Sequence, residues 1–236
     1  MPPAKKREKS PFAAFAGAER SPPRPQLTRE RIITAALEVL NESGFDGLTM
    51  RRLAERLDIK AASLYNHVSD KDELLALLAD AISAEIPLPA QGRSWRQQTE
   101  TLARQFRRVL MAHRDAARVL AATPPAGPHR LQLIEASLRV LGEAGFPAAL
   151  TADACYLLNS YIVGFVLDET LGHSGEPLSA KRRREEGRRW FKALPKQDYP
   201  TLIALADELI DAPPERRFEL GLRALLDGLE LRVAAT

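Results

Sequence analysis

Cysteine is nearly absent from this sequence, which contains only Cys155 among its 236 residues. A single thiol excludes an internal disulfide framework and fits a reducing compartment. Because Cys155 lies in an apolar stretch typical of a helix, we expect it to be a small buried hydrophobic residue rather than a reactive group.

Long apolar runs are also missing. We find none that approaches the roughly 18 residues needed to span a bilayer. Several basic residues precede the apolar piece PFAAFAGA near the N-terminus, in the order typical of a signal peptide. That piece is short, contains a proline and is followed by charged residues and a proline cluster. The sequence therefore predicts a cytoplasmic protein without a membrane segment.

Excess charge of one sign is small, since the formal net charge is +3. Residues 1–26 hold six basic and two acidic residues among six prolines, whereas residues 27–71 hold seven of each sign. The first segment cannot bury enough apolar surface to offset its ordering entropy, so we predict a disordered basic tail. It could follow phosphates or enter a minor groove, or it could be inert.

The residue constellations of enzymes are missing too. His113, His129 and His173 lack metal-ligand spacing relative to one another and to acidic residues. The sequence has no glycine-rich phosphate loop, and Cys155 has no evident histidine partner. We expect no enzyme activity, no metal and no cofactor. His113 is instead expected to form a hydrogen bond between helices.

Strand patterns are absent, and apolar residues recur at helical spacing along the chain, so we predict an all-α fold. Thr28 is a plausible N-cap of a first helix over residues 27–43, which Gly44 ends. Ser94 and Gln97 form a capping box. Residues 172–198 are expected to be a charged linker with at most one helical turn, and the basic run from Lys181 to Arg184 a solvated loop. The predicted helices with defined bounds that follow the first are 61–68, 70–86, 115–122, 130–144, 202–210 and 215–233. Three more are predicted without exact ends: one before the turn at 58–60, one that follows the capping box, and a long one that Pro147 opens.

The stretch LTMRRLAERLDIKAASLYNHVSDK, residues 48–71, is typical of two short helices joined by a tight turn. Leu64 and Val68 are the expected inward anchors of the second helix. The small and polar residues between them then face outward, which suits a helix that enters a DNA major groove. The alternative is a generic antiparallel helix pair, since such pairs are common.

This stretch resembles the DNA-binding domain of the TetR family of transcriptional regulators. The likeness begins at Thr28 and includes Gly44-Phe45, Leu48-Thr49, the run SLYNHVSDKDELL and their spacing. The C-terminal half is similar to the tetracycline-repressor class of that family, through Ser94-Trp95, AHRDAARV, YIVGFVLDE and FELGLRALLDGLELR. The family implies a three-helix helix-turn-helix domain at 27–72, after the tail at 1–26, and a larger helical ligand-binding and dimerisation domain at 73–236.

The resemblance implies a set of DNA contacts. Thr49 would bond a phosphate, and Arg51 would point to a base, with guanine as its natural partner. Lys71 would meet a phosphate at the N-terminus of the fourth helix. For His67, a buried structural imidazole is the alternative, and Arg52 and Arg56 could equally be a solvated face. The residues that would lie along the groove or reach bases and backbone are Lys60, Ala61, Ala62, Ser63, Tyr65, Asn66 and His67.

The resemblance also implies a small-molecule pocket. Leu120 stands where tetracycline repressors carry a metal-binding imidazole, and Pro124 replaces a contacting arginine. We therefore expect a different and more apolar ligand, such as an aromatic or polyketide-like molecule, although each residue could equally be plain core. The pocket positions that the resemblance assigns are Leu102, Phe106, Leu120, Thr123, Asn159, Ser160 and Asp168.

Two apolar stripes suggest a homodimer. They run from Ala154 to Phe165 and from Phe218 to Val233, with glycines that permit close helix approach, although both could be internal core. The sequence as a whole predicts a ligand-responsive repressor that binds a palindromic double-stranded DNA operator as a homodimer and is released by a small-molecule effector. The alternatives are a helical ligand-binding or protein-interaction module with a vestigial DNA-binding domain and, more remotely, an enzyme.

Overall fold

Helices form all the regular secondary structure in residues 26–170 and 180–234, which are the residues that the computed structural model describes. The all-α prediction is confirmed. The tail predicted to be disordered falls, except for Gln26, outside these residues. In this part of the chain the helices are α1 Arg29–Gly47, α2 Met50–Arg56, α3 Ala61–Tyr65, α4 Lys71–Ala84, α5 Trp95–Ala112, α6 Ala116–Ala121, α7 Pro128–Glu143, α8 Ala148–Thr170, α9 Ala180–Lys192, α10 Pro200–Ala204, α11 Ala206–Asp211 and α12 Pro214–Ala234.

The first helix begins where its cap predicts and ends later than expected. The Thr28 hydroxyl accepts a hydrogen bond from the Arg31 N–H. Gly44 adopts a left-handed φ of +71°, as predicted for a residue at a helix C-terminus, but a further helical turn to Gly47 follows it. The predicted end at residue 43 is therefore the site of a kink inside α1.

The helix-turn-helix has the expected anchors and a shorter second helix. Thr49 caps α2 by accepting from the Arg52 N–H, and Asp58 turns the chain with a φ of +52°. Leu64 and Val68 are completely buried, as predicted. The predicted helix over 61–68 is too long, because the N–H groups of His67 and Val68 both bond to the Leu64 carbonyl and close a turn there.

Helix α4 joins the two halves of the molecule. The Asp70 carboxylate caps it by accepting from the Glu73 N–H at 2.8 Å, and the Glu73 carboxylate reaches back to the Ser69 N–H at 2.8 Å. It ends at Ala84, two residues before the predicted end. One part of α4 packs against α1, and others pack against α6 and α7. The predicted domain boundary after residue 72 falls within this helix and stays a prediction.

The larger domain is built around α8, which packs against α5, α6, α7 and α12. The capping box at Ser94 and Gln97 is present at the start of α5, as predicted. Phe218 on α12 is completely buried and stacks on Tyr161 of α8, with ring centroids 5.4 Å apart. Apolar packing of this kind holds the helices around a cavity.

By length and composition alone, α8 is long and apolar enough to cross a membrane, whereas no segment of that kind is predicted from the sequence. Ala154, Leu158, Ile162 and Val166 are buried against the neighbouring helices. Packing in the core therefore accounts for the side of α8 that carries these four residues, whereas Tyr156 and Leu157 on the same helix are exposed.

Helix α9 replaces most of the predicted charged linker, and the linker prediction is wrong over residues 180–192. Arg188 pairs with Asp207 at 2.8 Å and with Asp211 at 2.6 Å, which ties α9 to α11. The basic run from Lys181 lies exposed on this helix rather than on a loop. The predicted helix over 202–210 is divided at Leu205 into α10 and α11. Residues 172–179 of the predicted linker fall outside the described chain.

Candidate functional site

The first candidate site is the exposed surface of α3. Ala61, Ala62 and Ser63 are exposed on its first turn, and Tyr65 is 51% exposed. Asn66 is exposed and His67 partly buried in the turn that follows. All the residues predicted to face outward therefore keep accessible surface, and the small ones leave the backbone of α3 open to a close approach.

Three predicted contact residues lie around α3. Thr49 caps α2, Arg51 lies in the first turn of α2, and Lys60 is exposed just before α3. The Arg51 side chain is 89% exposed and pairs with Glu55 at 2.9 Å. Hydrogen bonding to Glu55 raises the pKa of Arg51. Such an exposed pair is weak, so the guanidinium is available to another acceptor at little cost.

Lys71 differs from these residues because it bonds within the chain. Its Nζ donates to the Phe45 carbonyl at 3.3 Å and lies 5.0 Å from the centroid of the Phe45 ring. The side chain is partly buried. If Lys71 contacts a phosphate, it does so from beside Phe45, at the N-terminus of α4.

The second candidate site is a pair of adjoining, partly open cavities in the larger domain, lined mainly by residues of α5, α6, α7 and α8. The wider one has a volume of about 680 Å³, which is within the range of sites for drug-sized molecules. Phe106, Leu133 and Asn159 contribute to both cavities. Most of the lining is apolar, with a few hydroxyl and amide groups.

Six of the seven predicted pocket residues line these cavities. They are Leu102, Phe106, Leu120, Thr123, Asn159 and Ser160. Asp168 does not line either cavity, and it is exposed on α8. Nine residues rotate a helix by about half a turn beyond two full turns, so Asp168 points away from the side that carries Asn159.

Arg130 lines the wider cavity and was not foreseen from the sequence. The side chain is buried, and its Nη1 donates to the Thr123 hydroxyl at 2.8 Å. Burial lowers the pKa of Arg130. The neighbouring residues Pro128 and His129 do not indicate that Arg130 is buried. Its burial depends on the contact with Thr123, seven residues away, which a sequence pattern does not show.

Cys155 also lines both cavities and is partly rather than fully buried. Burial raises the pKa of its thiol, which keeps the group neutral and unreactive near neutral pH. In the described ranges 26–170 and 180–234, no three His, Cys, Asp or Glu side chains are grouped to hold a metal ion.

The ligand cavity and the DNA-binding module meet at the start of α6. The Asp115 carboxylate accepts from the Phe45 N–H at 2.7 Å, and Arg118 forms two bonds to the Asp46 carboxylate at 3.0 and 3.1 Å. Hydrogen bonding to Arg118 lowers the pKa of Asp46. The Arg114 N–H donates to the Asn41 side chain. Helix α6 thus contacts α1 directly, in addition to its packing on α4.

Two histidine–carboxylate contacts hold α4 to the larger domain. His129 Nδ1 lies 2.9 Å from Asp80, and His113 Nε2 lies 3.0 Å from Glu85. The contact of His113 agrees with its expected role between helices. Asp80 also accepts from the Arg130 N–H at 2.9 Å, in the first turn of α7. A shift of α7 would therefore be transmitted to α4.

Comparison with known proteins decides the family. The family model described as Bacterial regulatory proteins, tetR family, matches residues 32–78. The model described as Tetracyclin repressor-like, C-terminal domain, matches residues 88–233, more than half of the chain. The chain belongs to the TetR family. It is a repressor of that family with a DNA-binding domain and a ligand-binding domain, and the family is a class of transcriptional regulators rather than of enzymes.

The relatives of this TetR-family chain cover nearly its whole length. It is 38% identical to the tetracycline repressor protein class A from transposon 1721 of Escherichia coli, over 88% of this chain and 92% of that protein. It is 29% identical to the HTH-type transcriptional repressor DrrR1 of Streptomyces coeruleorubidus, over 90% and 80% of the two chains.

A solved structure of the same family has a ligand bound. The TetR family protein ActR from Streptomyces coelicolor, in complex with actinorhodin, superposes with a TM-score of 0.75 at 35% identity. The match covers 87% of this chain and 96% of ActR. These likenesses place the described helices of this protein in the TetR fold.

Proposed function

We propose that this TetR-family repressor binds a palindromic DNA operator as a homodimer and leaves it when a small-molecule inducer enters the cavity. The arrangement around α4 carries this proposal. Helix α4 begins beside the exposed surface of α3 and ends at the cavity domain, where it packs on α6 and α7. A ligand that moves α6 or α7 would shift α4 and misplace the recognition surface.

The DNA contacts follow from the exposed side chains. Ala61, Ala62 and Ser63 would lie against the floor of the major groove, and Tyr65, Asn66 and His67 would reach bases or backbone. Arg51 would leave Glu55 and donate to guanine. Thr49 and Lys71 would bind phosphates, and Lys60 would face the groove floor. Ala61 and Asn66 differ from the residues of the tetracycline repressors, so we expect a different operator sequence.

The dimer interface needs a surface different from the one that the apolar stripes suggested. Phe218, Leu222 and Leu229 of the α12 stripe are buried in their own chain, so these three residues belong to the internal core, whereas Leu225 and Val233 keep some accessible surface. Leu220 and Leu231 on the neighbouring face of α12 are 68% and 74% exposed. They are eleven residues apart, about three helical turns, and therefore share a face. We propose that this face pairs with a second copy.

Pairing is needed for specific DNA binding. Two symmetric recognition helices about 34 Å apart would read two half-sites on one face of the duplex. A single α3 offers too few contacts for operator affinity. The relatives named as repressors support regulation by DNA binding, and we propose that it occurs in the cytoplasm, where the DNA is located.

We expect an apolar inducer of the size of a polycyclic aromatic molecule. The ActR complex with actinorhodin supports a ligand site in this domain. The wider cavity has a largely apolar lining, in agreement with the replacement of a metal-binding imidazole by Leu120. Magnesium-tetracycline is therefore not the inducer that we propose.

Selection of DNA from a random double-stranded pool, followed by sequencing, tests the proposal. We expect an inverted repeat, and a gel shift on it that weakens steeply as salt rises. A monomer in solution, or binding without sequence preference or salt dependence, would exclude the operator-binding repressor. That result would favour a ligand-binding or protein-interaction module with a vestigial DNA-binding domain.

A further inference from the structure

Arg130 is the only charged residue among those of the described chain that line the two cavities. The other polar lining residues are neutral, and most of the wall is formed by side chains such as Phe106, Leu133 and Val163. A single positive charge is thus placed in an otherwise neutral, largely apolar cavity. Such a cavity distinguishes a ligand with an anionic group from a neutral analogue of the same shape.

No carboxylate side chain in the described residues forms an ion pair with the Arg130 guanidinium. Its protein acceptors are the Thr123 hydroxyl and three carbonyl oxygens, those of Leu120, Thr123 and Pro124. Asp80 is near, but its carboxylate accepts from the Arg130 backbone N–H rather than from the guanidinium. The guanidinium is therefore hydrogen-bonded to dipoles, and the Asp80 carboxylate acts on its charge only from beyond ion-pair distance.

The guanidinium retains donors for a ligand. Nη1 donates to the Thr123 hydroxyl and to the carbonyls of Thr123 and Pro124. Nη2 donates to the Leu120 carbonyl at 3.0 Å. Of its five N–H groups, the Nε–H and one Nη2–H have no acceptor in the part of the chain that the structure describes. These two donors are on adjacent nitrogens, which is the arrangement that a carboxylate accepts in a bidentate pair.

We propose that Arg130 binds the carboxylate of an otherwise apolar, polycyclic ligand in this cavity, and this assignment rests on the ligand-responsive function proposed above. The ligand class is thereby narrowed from apolar molecules in general to apolar acids. A carboxylate in an apolar cavity loses its hydration, and only a buried cation with matching donors compensates for that loss. Arginine suits this role because its planar donors fit the two carboxylate oxygens.

The position of Arg130 connects this binding to α4. Its side chain donates to the Leu120 carbonyl near the end of α6 and to the Thr123 and Pro124 carbonyls that follow, and its N–H donates to Asp80 on α4. An acid bound at the free Nε–H and Nη2–H would share the guanidinium with the Leu120 and Thr123 carbonyls, which Arg130 already holds. The same residue would then sense the ligand and hold the helix ends that pack on α4.

Binding of matched acids and esters tests the assignment. The probes are 9,10-anthraquinone-2-carboxylate and 2-naphthoate, each with its methyl ester, titrated calorimetrically into the full chain without DNA. We expect at least one acid to bind about tenfold or more tightly than its ester, the difference expected for a charged hydrogen-bonded pair. Two pairs are used because ring size affects the fit to the cavity.

Three variants at residue 130 and one control complete the experiment. Arg130→Met should abolish the preference for the acid. Arg130→Gln keeps a donor for the Leu120 carbonyl but removes the charge, and it should also abolish the preference for the acid. This variant keeps the test valid if Arg130→Met folds poorly. Arg130→Lys should keep part of the preference as a point charge. Arg139→Met, on the same helix but outside both cavities, should keep all of it.

The outcomes separate the two proposals. If neither acid binds better than its ester, or if the preference survives in Arg130→Gln, the carboxylate assignment is overturned. Operator binding by the wild type, measured without probes, is independent of that result. If the protein binds acids in preference to esters but binds no operator, the carboxylate assignment at Arg130 stands and the proposed function is excluded.

Discussion

The Asp115 carboxylate accepts a hydrogen bond from the Phe45 backbone N–H at 2.7 Å, and so connects the ligand-binding domain to the kink in α1. Asp115 holds a left-handed φ of +58°, which is uncommon for a residue other than glycine. A Cβ on Gly44 would lie 2.7 Å from Asp115 Oδ2. This close approach explains why a glycine occupies the kink.

Replacing Asp115 should weaken this junction. Asp115→Ala leaves the Phe45 N–H without an acceptor, at a cost of about 1–3 kcal/mol in the free energy of unfolding. Asp115→Asn keeps an acceptor oxygen and tolerates the left-handed φ, so it should cost less. Urea denaturation measures both, and hydrogen exchange at Phe45 should be faster in the Ala variant. Asp198→Ala, at an exposed turn, is the control, and an equal loss there would contradict the assignment.

Arg51 and Lys71 should affect DNA binding differently. Arg51→Ala is expected to relax base preference at one operator position, with a cost of about 1–3 kcal/mol on the preferred sequence. Lys71→Ala should weaken all sequences alike and reduce the salt slope by about one. Titration of each variant against the selected operator and single-base variants measures the difference. Identical behaviour of the two variants would contradict these roles.

Charged substitutions on α12 should separate the protomers. Leu220→Glu and Leu231→Glu each place a carboxylate on the proposed pairing face, so we expect monomers and loss of operator binding. Leu131→Glu, at a 53% exposed position on α7, is a matched control that should stay dimeric. Sedimentation equilibrium gives the mass of each. Dimers in both α12 variants would exclude this face.

Gly221 should tolerate no side chain. A Cβ there would lie 2.5 Å from the Tyr161 hydroxyl, which donates to the Phe218 carbonyl at 2.7 Å. Gly221→Ala should therefore destabilise the fold by about 1–3 kcal/mol through overpacking. Gly142→Ala, where no atom lies within 4 Å, is the control and should be neutral or slightly stabilising. Thermal unfolding that ranks the two variants in the opposite order would argue against this packing.

Glu219 should contribute stability that depends on pH. A hydrogen bond from Arg104 at 2.7 Å lowers the pKa of Glu219 below its usual range. Since the folded pKa is depressed, the contribution is fully present above the unfolded pKa of about 4.3 and is lost as pH falls through the folded value. Glu219→Gln should reduce the fall in unfolding free energy between about pH 6, which lies above the unfolded pKa, and about pH 3, which lies below it. Glu185→Gln, on exposed α9, should leave it unchanged.

Local signals were sufficient for most helix starts. Thr28 and Ser94 cap helices as expected, because a cap depends on residues three positions apart. Helix ends were predicted less well. The turn after Tyr65 differs from the prediction by three residues and has no glycine or proline to mark it. The end of α4 at Ala84 differs by two residues, because Pro87 stops the helix without fixing its last residue.

Contacts between distant segments account for the other differences. Helix α9 is too polar to be stable alone, and its ion pairs to Asp207 and Asp211 are invisible to periodicity. Asp168 shares a helix with Asn159, but the rotation of α8 in the core decides which of them faces the cavity. The apolar stripe that begins at Phe218 would have the same spacing in an internal core and in a dimer interface, so spacing does not distinguish the two.

The sequence by itself determined the helical class, the caps, the outward face of α3 and the likeness to a family, because each depends on residues close together in the chain. Only the tertiary structure decided that Arg130 is buried in the cavity wall and that Asp115 meets Phe45, seventy positions away. Such contacts depend on how helices pack and rotate against one another, and that packing is set by the whole core rather than by any one segment.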